Sequence, residues 1–209
     1  MRATCYTGRM KSLLAGYRKF RKDIWPSDKA HFAELAKGQK PHTLIIACSD
    51  SRVDPAAIFG VRAGELFVIR NVASIVPPFD THGGYHGVSA AIAFAVLNLE
   101  VERIVILGHE HCGGVATAMA DGHSSTPFLS QWVSLLEPAV HMGGETHDHL
   151  AVEYESIRLS IQRLMTFPFI AERVAQAGLQ LIGAHFKIND GTLSVLDPQT
   201  QEFHLVEEE

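Results

Sequence analysis

The stretch Thr43-Leu-Ile-Ile-Ala-Cys48, running straight into Ser49-Asp50-Ser51-Arg52, decides the fold. A short apolar run rich in β-branched residues reads as a buried strand, and three more follow, at Leu66–Arg70, Arg103–Gly108 and Leu179–Gly183. Between them, Gly87–Leu99 is a long Ala-rich stretch suited to a buried helix, and Glu153–Met165 places Ile157, Ile161 and Leu164 at helical spacing. Strands separated by helices imply parallel pairing, because a parallel crossover needs about a dozen residues and usually a helix. The expected fold is therefore α/β, a single domain with a central, mostly parallel sheet flanked by helices. Loops are expected over Val76–Gly84, Gly122–Pro127 and Met142–His149.

Composition bounds what such a fold can do. The chain has 209 residues, 46% hydrophobic and 20% charged, the make-up of an ordinary globular protein rather than a fibrous or disordered one. A net charge of −5 gives the whole molecule no electrostatic reason to bind nucleic acid. Three cysteines make no disulfide framework in a chain this long, so reduced thiols in the cytoplasm are expected, free to bind metal. The longest apolar run, Ala90–Leu97, ends at Asn98 and Glu100. That is far short of the roughly 20 residues that span a bilayer, so no membrane association is expected. Near the N-terminus only Leu13–Gly16 is apolar, too short for a signal-peptide core, so export by that route is not expected. Charge is uneven: 7 of the 18 basic residues and none of the acidic ones lie in residues 1–22. A basic helix of this kind suits an acidic surface of its own fold or of a second subunit, and also a membrane or a nucleic acid.

In an open parallel sheet, ligands collect at the carboxyl ends of the strands. Two strands end in chemically loaded segments: Cys48 leads into Asp50 and Arg52, and Arg103–Gly108 leads into His109-Glu110-His111-Cys112-Gly113-Gly114. Cys48, His109 and Cys112 offer two thiolates and an imidazole, a donor set that suits tetrahedral zinc. Taken alone, His109-x-x-Cys112 fits equally well a satisfied core thiol beside a surface histidine. Asp50 likewise fits an Asx-turn or a helix cap ahead of Val53–Phe59.

Cys48-Ser-Asp50-Ser-Arg52 and Gly108-His109-Glu-His-Cys112-Gly113-Gly114 resemble the paired signatures of the β-class carbonic anhydrases, which hydrate carbon dioxide reversibly on zinc. The likeness continues through Phe32–Pro41, Gly64–Pro78 and His86–Gly114, and more loosely to Gly191. It implies one zinc per subunit on Cys48, His109 and Cys112. A fourth position is then left for a water that becomes hydroxide near neutral pH and attacks carbon dioxide. Asp50 would accept a hydrogen bond from that oxygen, and Arg52 would clamp Asp50; in some relatives a broken pair lets the aspartate close the site as a fourth ligand. Position by position, Gln39, Phe67, Val72, Phe94 and Gly113 match the substrate pocket of plant-type members, with Gln39 donating its amide to substrate oxygen. Phe94 departs from the Tyr found there.

The resemblance further implies a pocket shared between subunits, hence a homodimer or higher homo-oligomer. A basic helical arm over residues 1–30 would extend onto the partner, and residues 31–209 would form the catalytic domain. Carbon dioxide and bicarbonate are the expected small-molecule partners. The same zinc site acting on carbon disulfide or carbonyl sulfide is an alternative, as is a non-enzymatic, zinc-stabilised regulatory protein. Against the latter stand Asp50 and Arg52, which a closed structural zinc site does not need. Some relatives hold inhibitory bicarbonate in a second pocket of Trp, Arg and Tyr; the matching positions here are Ile45, Arg70 and Phe186. Outside these motifs, His82 and His86 are candidate proton shuttles. His141, His147 and His149 with Glu145 and Asp148 make a second metal cluster or a solvated loop, Cys5 is a free thiol, and Tyr85, Phe128 and Trp132 are packing residues.

Overall fold

The computed structural model describes residues 8–82, 84–120, 126–143 and 148–207. Cys5, Glu145 and His147 lie outside the described residues, as does most of the loop expected at Gly122–Pro127. The chain divides into two compact units, the first ending at Gln39 and the second starting at Lys40.

In the first unit, α1 (Gly8–Lys19) and α2 (Trp25–Leu35) are joined by one wider helical turn, Phe20–Ile24. Arg18 and Lys19 sit in the last turn of α1, where the helix dipole favours cations. The rings of Trp25 and Phe32 lie 5.0 Å apart with Phe20 edge-on to both, and Arg21 stacks 4.7 Å over Trp25. Among the described side chains of residues 10–39, none is buried.

The second unit is built on six strands: β1 (Thr43–Cys48), β2 (Leu66–Asn71), β3 (Arg103–His109), β4 (Gln180–Phe186), β5 (Leu193–Leu196) and β6 (Phe203–Leu205). Their order is β2-β1-β3-β4-β5-β6. The first four pair in parallel, and they are the four strands legible as apolar runs; β5 and β6 add to the edge antiparallel. Those two are four and three residues long and carry Ser194 and His204, too short and too polar for a period to show.

Alternate residues of the central strands feed opposite faces, because side chains in a strand alternate. Leu44, Ile46, Ile104 and Ile106 join one apolar cluster, while Ile45, Ala47, Val105 and Leu107 join another. The first cluster takes Ile92 from α4 (Gly87–Ala93), Ile157 and Leu164 from α8 (His149–Leu164), and Ile170 from α9 (Pro168–Ala177). Both sheet faces are covered, so the strands need no polar face. The Ala-rich stretch is helical as expected, its second half, Phe94–Asn98, widening by one residue per turn. α8 starts earlier than its apolar spacing suggests, because the Asp148 carboxylate caps it by accepting from Leu150 N at 3.0 Å. Ile157 is wholly buried and comes so close to β3 that a Cβ at Gly108 would meet its Cδ1 at 2.7 Å. Truncating it to alanine would cost about 2 to 5 kcal/mol. Among the described residues the unit also carries the short helices α3 (Pro55–Phe59), α5 (Gly113–Met119), α6 (Pro127–Val133) and α7 (Glu137–Met142). Among the described residues no helix is long and apolar enough to cross a membrane.

Candidate metal centre

Cys48 ends β1 and His109 ends β3, and parallel neighbours bring both ends to the same sheet edge. The chain then turns back through His111, at φ 52°, so that Cys112 stands just ahead of α5. One ligand atom from each of Cys48, His109 and Cys112 lies within 4.8 Å of the other two, and the sulfurs are 3.9 Å apart. All three residues are buried, at 5%, 1% and 2% exposure.

The imidazole is set for ligation. Its Nδ1 donates to the Glu110 carbonyl at 2.9 Å, which leaves Nε2 with a lone pair. That Nε2 is buried and has no hydrogen-bond partner. An orphaned buried polar atom costs about 1 to 3 kcal/mol, and a metal ion between it and two sulfurs removes the cost. The Cys₂His donor set fits zinc with an open coordination position. One thiol is poised as well: the Cys112 hydrogen bond, foremost, draws the Cys48 thiol well below its ordinary range against the pull of burial, while the same bond and burial push the Cys112 thiol up.

Beside this triad, Arg52 grips Asp50, with Nε donating to Oδ1 at 3.0 Å and Nη2 to Oδ2 at 2.7 Å. The same Nη2 donates to the His111 carbonyl at 3.1 Å, tying the two strand-end loops together. The guanidinium bonds hold the Asp50 carboxyl well below the usual carboxylate range. Asp50 Oδ2 stands 3.9 Å from His109 Nε2. An Asx-turn bond from Arg52 N to Asp50 Oδ1, 2.9 Å, coexists with the clamp, whereas the cap of α3 falls to Asp54, which accepts from Ala57 N. Arg70 gathers the loop from behind, donating to the carbonyls of Cys48, Asp50 and Val53 at 2.9, 2.6 and 2.8 Å.

Several supporting residues escaped the sequence reading. The buried Glu153 accepts from Cys112 N at 3.0 Å through Oε1 and from His185 Nε2 at 2.9 Å through Oε2. Its place was legible in principle, since it lies one helical turn before the core residue Ile157. Trp132, expected to pack, also donates its indole N–H to the Val72 carbonyl at 2.9 Å. Val72 opens a turn in which Ala73 and Ser74 stand at φ 64° and 51°, a left-handed conformation that costs about 1 to 2 kcal/mol per non-glycine residue. From there Ala73 N donates to Cys48 Sγ at 3.4 Å.

Of the residues matched to a substrate pocket, Phe67 and Phe94 face each other with ring centroids 5.8 Å apart. Val72 lies on the turn beside Cys48, Gly113 follows Cys112, and Gln39 closes the first unit. His82 is exposed and bonded to Asp80 at 2.9 Å, and His86 precedes α4.

A family model of carbonic anhydrases matches residues 43–193. A carbonic anhydrase of Synechococcus elongatus is 34% identical over 191 residues, covering 87% of this chain and 70% of that protein. The structure superposes on the β-carbonic anhydrase CcaA with a TM-score of 0.88 and 31% identity, over 97% of this chain and 94% of that one. Tetrameric β-carbonic anhydrases of the ascomycete Sordaria macrospora match with a TM-score of 0.79 and 31% identity, over 91% and 98% of the two chains. Sequence and fold agree along nearly the whole length, and the chain belongs to the β-carbonic anhydrase family.

Proposed function

We propose that this protein catalyses the reversible hydration of carbon dioxide to bicarbonate and a proton, with one zinc ion per subunit held by Cys48, His109 and Cys112. The observation that carries this reading is the buried, unpartnered His109 Nε2, aimed at the two cysteines beside an arginine-clamped carboxylate. When bound, zinc acidifies water so that a hydroxide nucleophile is available near neutral pH. The chain's own residues do the rest. Asp50 stays ionised under the hold of Arg52 and acts as a fixed hydrogen-bond acceptor, orienting the nucleophile toward substrate carbon. Phe67, Val72, Phe94 and the Gly113 main chain supply an apolar pocket for a small uncharged substrate. For Gln39, at the end of the first unit, only the match to the family supports a role as donor to substrate oxygen.

The assembly is a homodimer or higher homo-oligomer. Val68, Val72, Phe94 and Leu97 leave apolar side chains 36% to 55% exposed at and beside the edge strand β2, a surface that suits a second copy. The structural relatives from Sordaria macrospora are tetramers. Residues 1–30 serve as a basic arm on the partner subunit, and residues 31–209 as the catalytic domain. The edge-on pair of Phe20 and Trp25, with no buried side chain among the described residues 10–30, supports this. With two free, buried thiols at its centre, the enzyme works in a reducing compartment, the cytoplasm.

Zinc content measured alongside stopped-flow hydration of carbon dioxide tests the reading. One zinc per chain with fast turnover is expected; a fully loaded protein that did not accelerate hydration would overturn it.

A further inference from the structure

Thiolate ligands push charge onto a metal and weaken it as a Lewis acid, and an N–H hydrogen bond to the sulfur draws part of that charge back. Here one such donor, Ala73 N at 3.4 Å from Cys48 Sγ, comes from a backbone position that ordinary residues avoid. Two successive left-handed non-glycine residues persist only where their surroundings over-determine them.

Three contacts do so. Asn71 brackets the turn, its Oδ1 accepting from Ile75 N at 2.8 Å and its Nδ2 donating to Ile75 O at 2.9 Å. Trp132, from α6, pins the Val72 carbonyl. Gly114, in the first turn of α5, leaves room for the turn to press in: a Cβ there would meet Val72 Cγ1 at 2.7 Å and Ala73 Cβ at 2.8 Å. The turn is thus wedged between the loop of Cys48 and the helix that follows Cys112.

We propose that Trp132 and Asn71 are positioning residues of the metal centre, holding the Val72–Ser74 turn so that its main chain donates to Cys48 Sγ. The proposal rests on the metal assignment above and goes beyond it. Neither side chain touches a ligand atom; both act through the backbone they fix.

The test uses the full chain loaded with cobalt(II), reading the sulfur-to-cobalt charge-transfer band and the rate of cobalt release to a chelator. Trp132→Phe keeps a large ring and removes the N–H. Its charge-transfer band should move to longer wavelength, because a sulfur without its hydrogen bond gives up electrons more easily. Cobalt release should speed up as well, because the freed turn no longer fixes Cys48 in its ligating position, with affinity falling about tenfold, the lower end for lost outer-shell partners. Gly114→Ala displaces the turn from the opposite side and should shift both readouts the same way, which keeps the test decisive if Trp132→Phe does not fold. A merely space-filling Trp132 would leave the band in place. A sulfur-to-cobalt band that neither variant moves overturns the proposal alone, and the absence of any such band in the unsubstituted protein overturns the metal assignment with it.

Discussion

Arg52 and Asp50 meet edge to edge, in two near-parallel bonds of 3.0 and 2.7 Å, with the far carboxylate oxygen 3.9 Å from His109 Nε2. The geometry gives the carboxylate a fixed direction as well as a charge. Asp50→Asn should therefore keep its zinc and lose at least about a hundredfold in turnover, since the amide fills the space without being an anionic acceptor. Arg52→Ala should lose activity differently, by freeing Asp50 to reach the metal. Zinc analysis with stopped-flow rates checks both, and wild-type turnover in either variant would remove the pair from the mechanism.

The same bonds set a pH dependence. The guanidinium lowers the folded-state pKa of Asp50 below its unfolded value, so the pair's contribution to stability is complete above the ordinary carboxylate pKa of about 4. It is lost only as the pH falls from there toward the depressed folded value. The pH–activity profile should carry no inflection from Asp50 between about pH 5 and 9. An acid limb near neutrality that disappears in Asp50→Asn would contradict this.

Cys48→Ser and Cys112→Ser should each lose metal and activity together, because a hydroxyl is a far poorer ligand at neutral pH than a thiolate. Metal analysis after dialysis reads this directly. Stoichiometric zinc with full turnover in either variant would show that the ligand is another residue.

What could be read from the sequence was the part written in consecutive residues. β1 and β3 carry unbroken apolar runs, so the parallel core was legible from the residues. The grouping of Cys48, His109 and Cys112 and the pairing of Asp50 with Arg52 were legible through the family resemblance, since the residues alone also fit a core thiol and an Asx-turn. The supporting contacts were not, because each joins positions far apart in the chain: Trp132 to Val72 across 60 residues, Glu153 to Cys112 across 41 and to His185 across 32. Nothing local marks Trp132 as a donor to a backbone carbonyl. Arg70 was legible only as a match to a relative's anion pocket, whereas its bonds to three carbonyls make it the anchor of the Cys48–Asp54 loop.

Glu153 and His185 form a pair with each side chain only 3% exposed. Removing one partner of such a pair leaves the other's polar atoms buried and under-satisfied. His185→Leu should cost about 3 to 5 kcal/mol, or roughly 10 °C in melting temperature for a chain of this size. Glu153→Gln should cost less, since an amide oxygen can still accept from Cys112 N. Thermal unfolding of the zinc-loaded proteins measures both, and a wild-type melting temperature for His185→Leu would show that the pair adds nothing to the fold.

Regulation by bicarbonate should be simple. In relatives with a second bicarbonate pocket, Trp, Arg and Tyr face the anion, but the matching Ile45 is buried in one apolar cluster with Phe186. Neither side chain offers a donor. The remaining Arg70 already spends Nε and Nη2 on the carbonyls of Cys48, Asp50 and Val53, and its Nη1 lies 3.4 Å from Asp54 Oδ2. An anion entering there would face an apolar wall and would have to break the contacts that shape the Asp50 loop; burying it without donors costs several kcal/mol. Bicarbonate should therefore act only at the catalytic site, with a Hill coefficient of about one and without displacing Asp50 from Arg52. Initial-rate inhibition curves at neutral pH decide the matter. Sigmoidal inhibition, or a structure at neutral pH with Asp50 on the metal, would mean that a second anion site exists and is built from residues other than these.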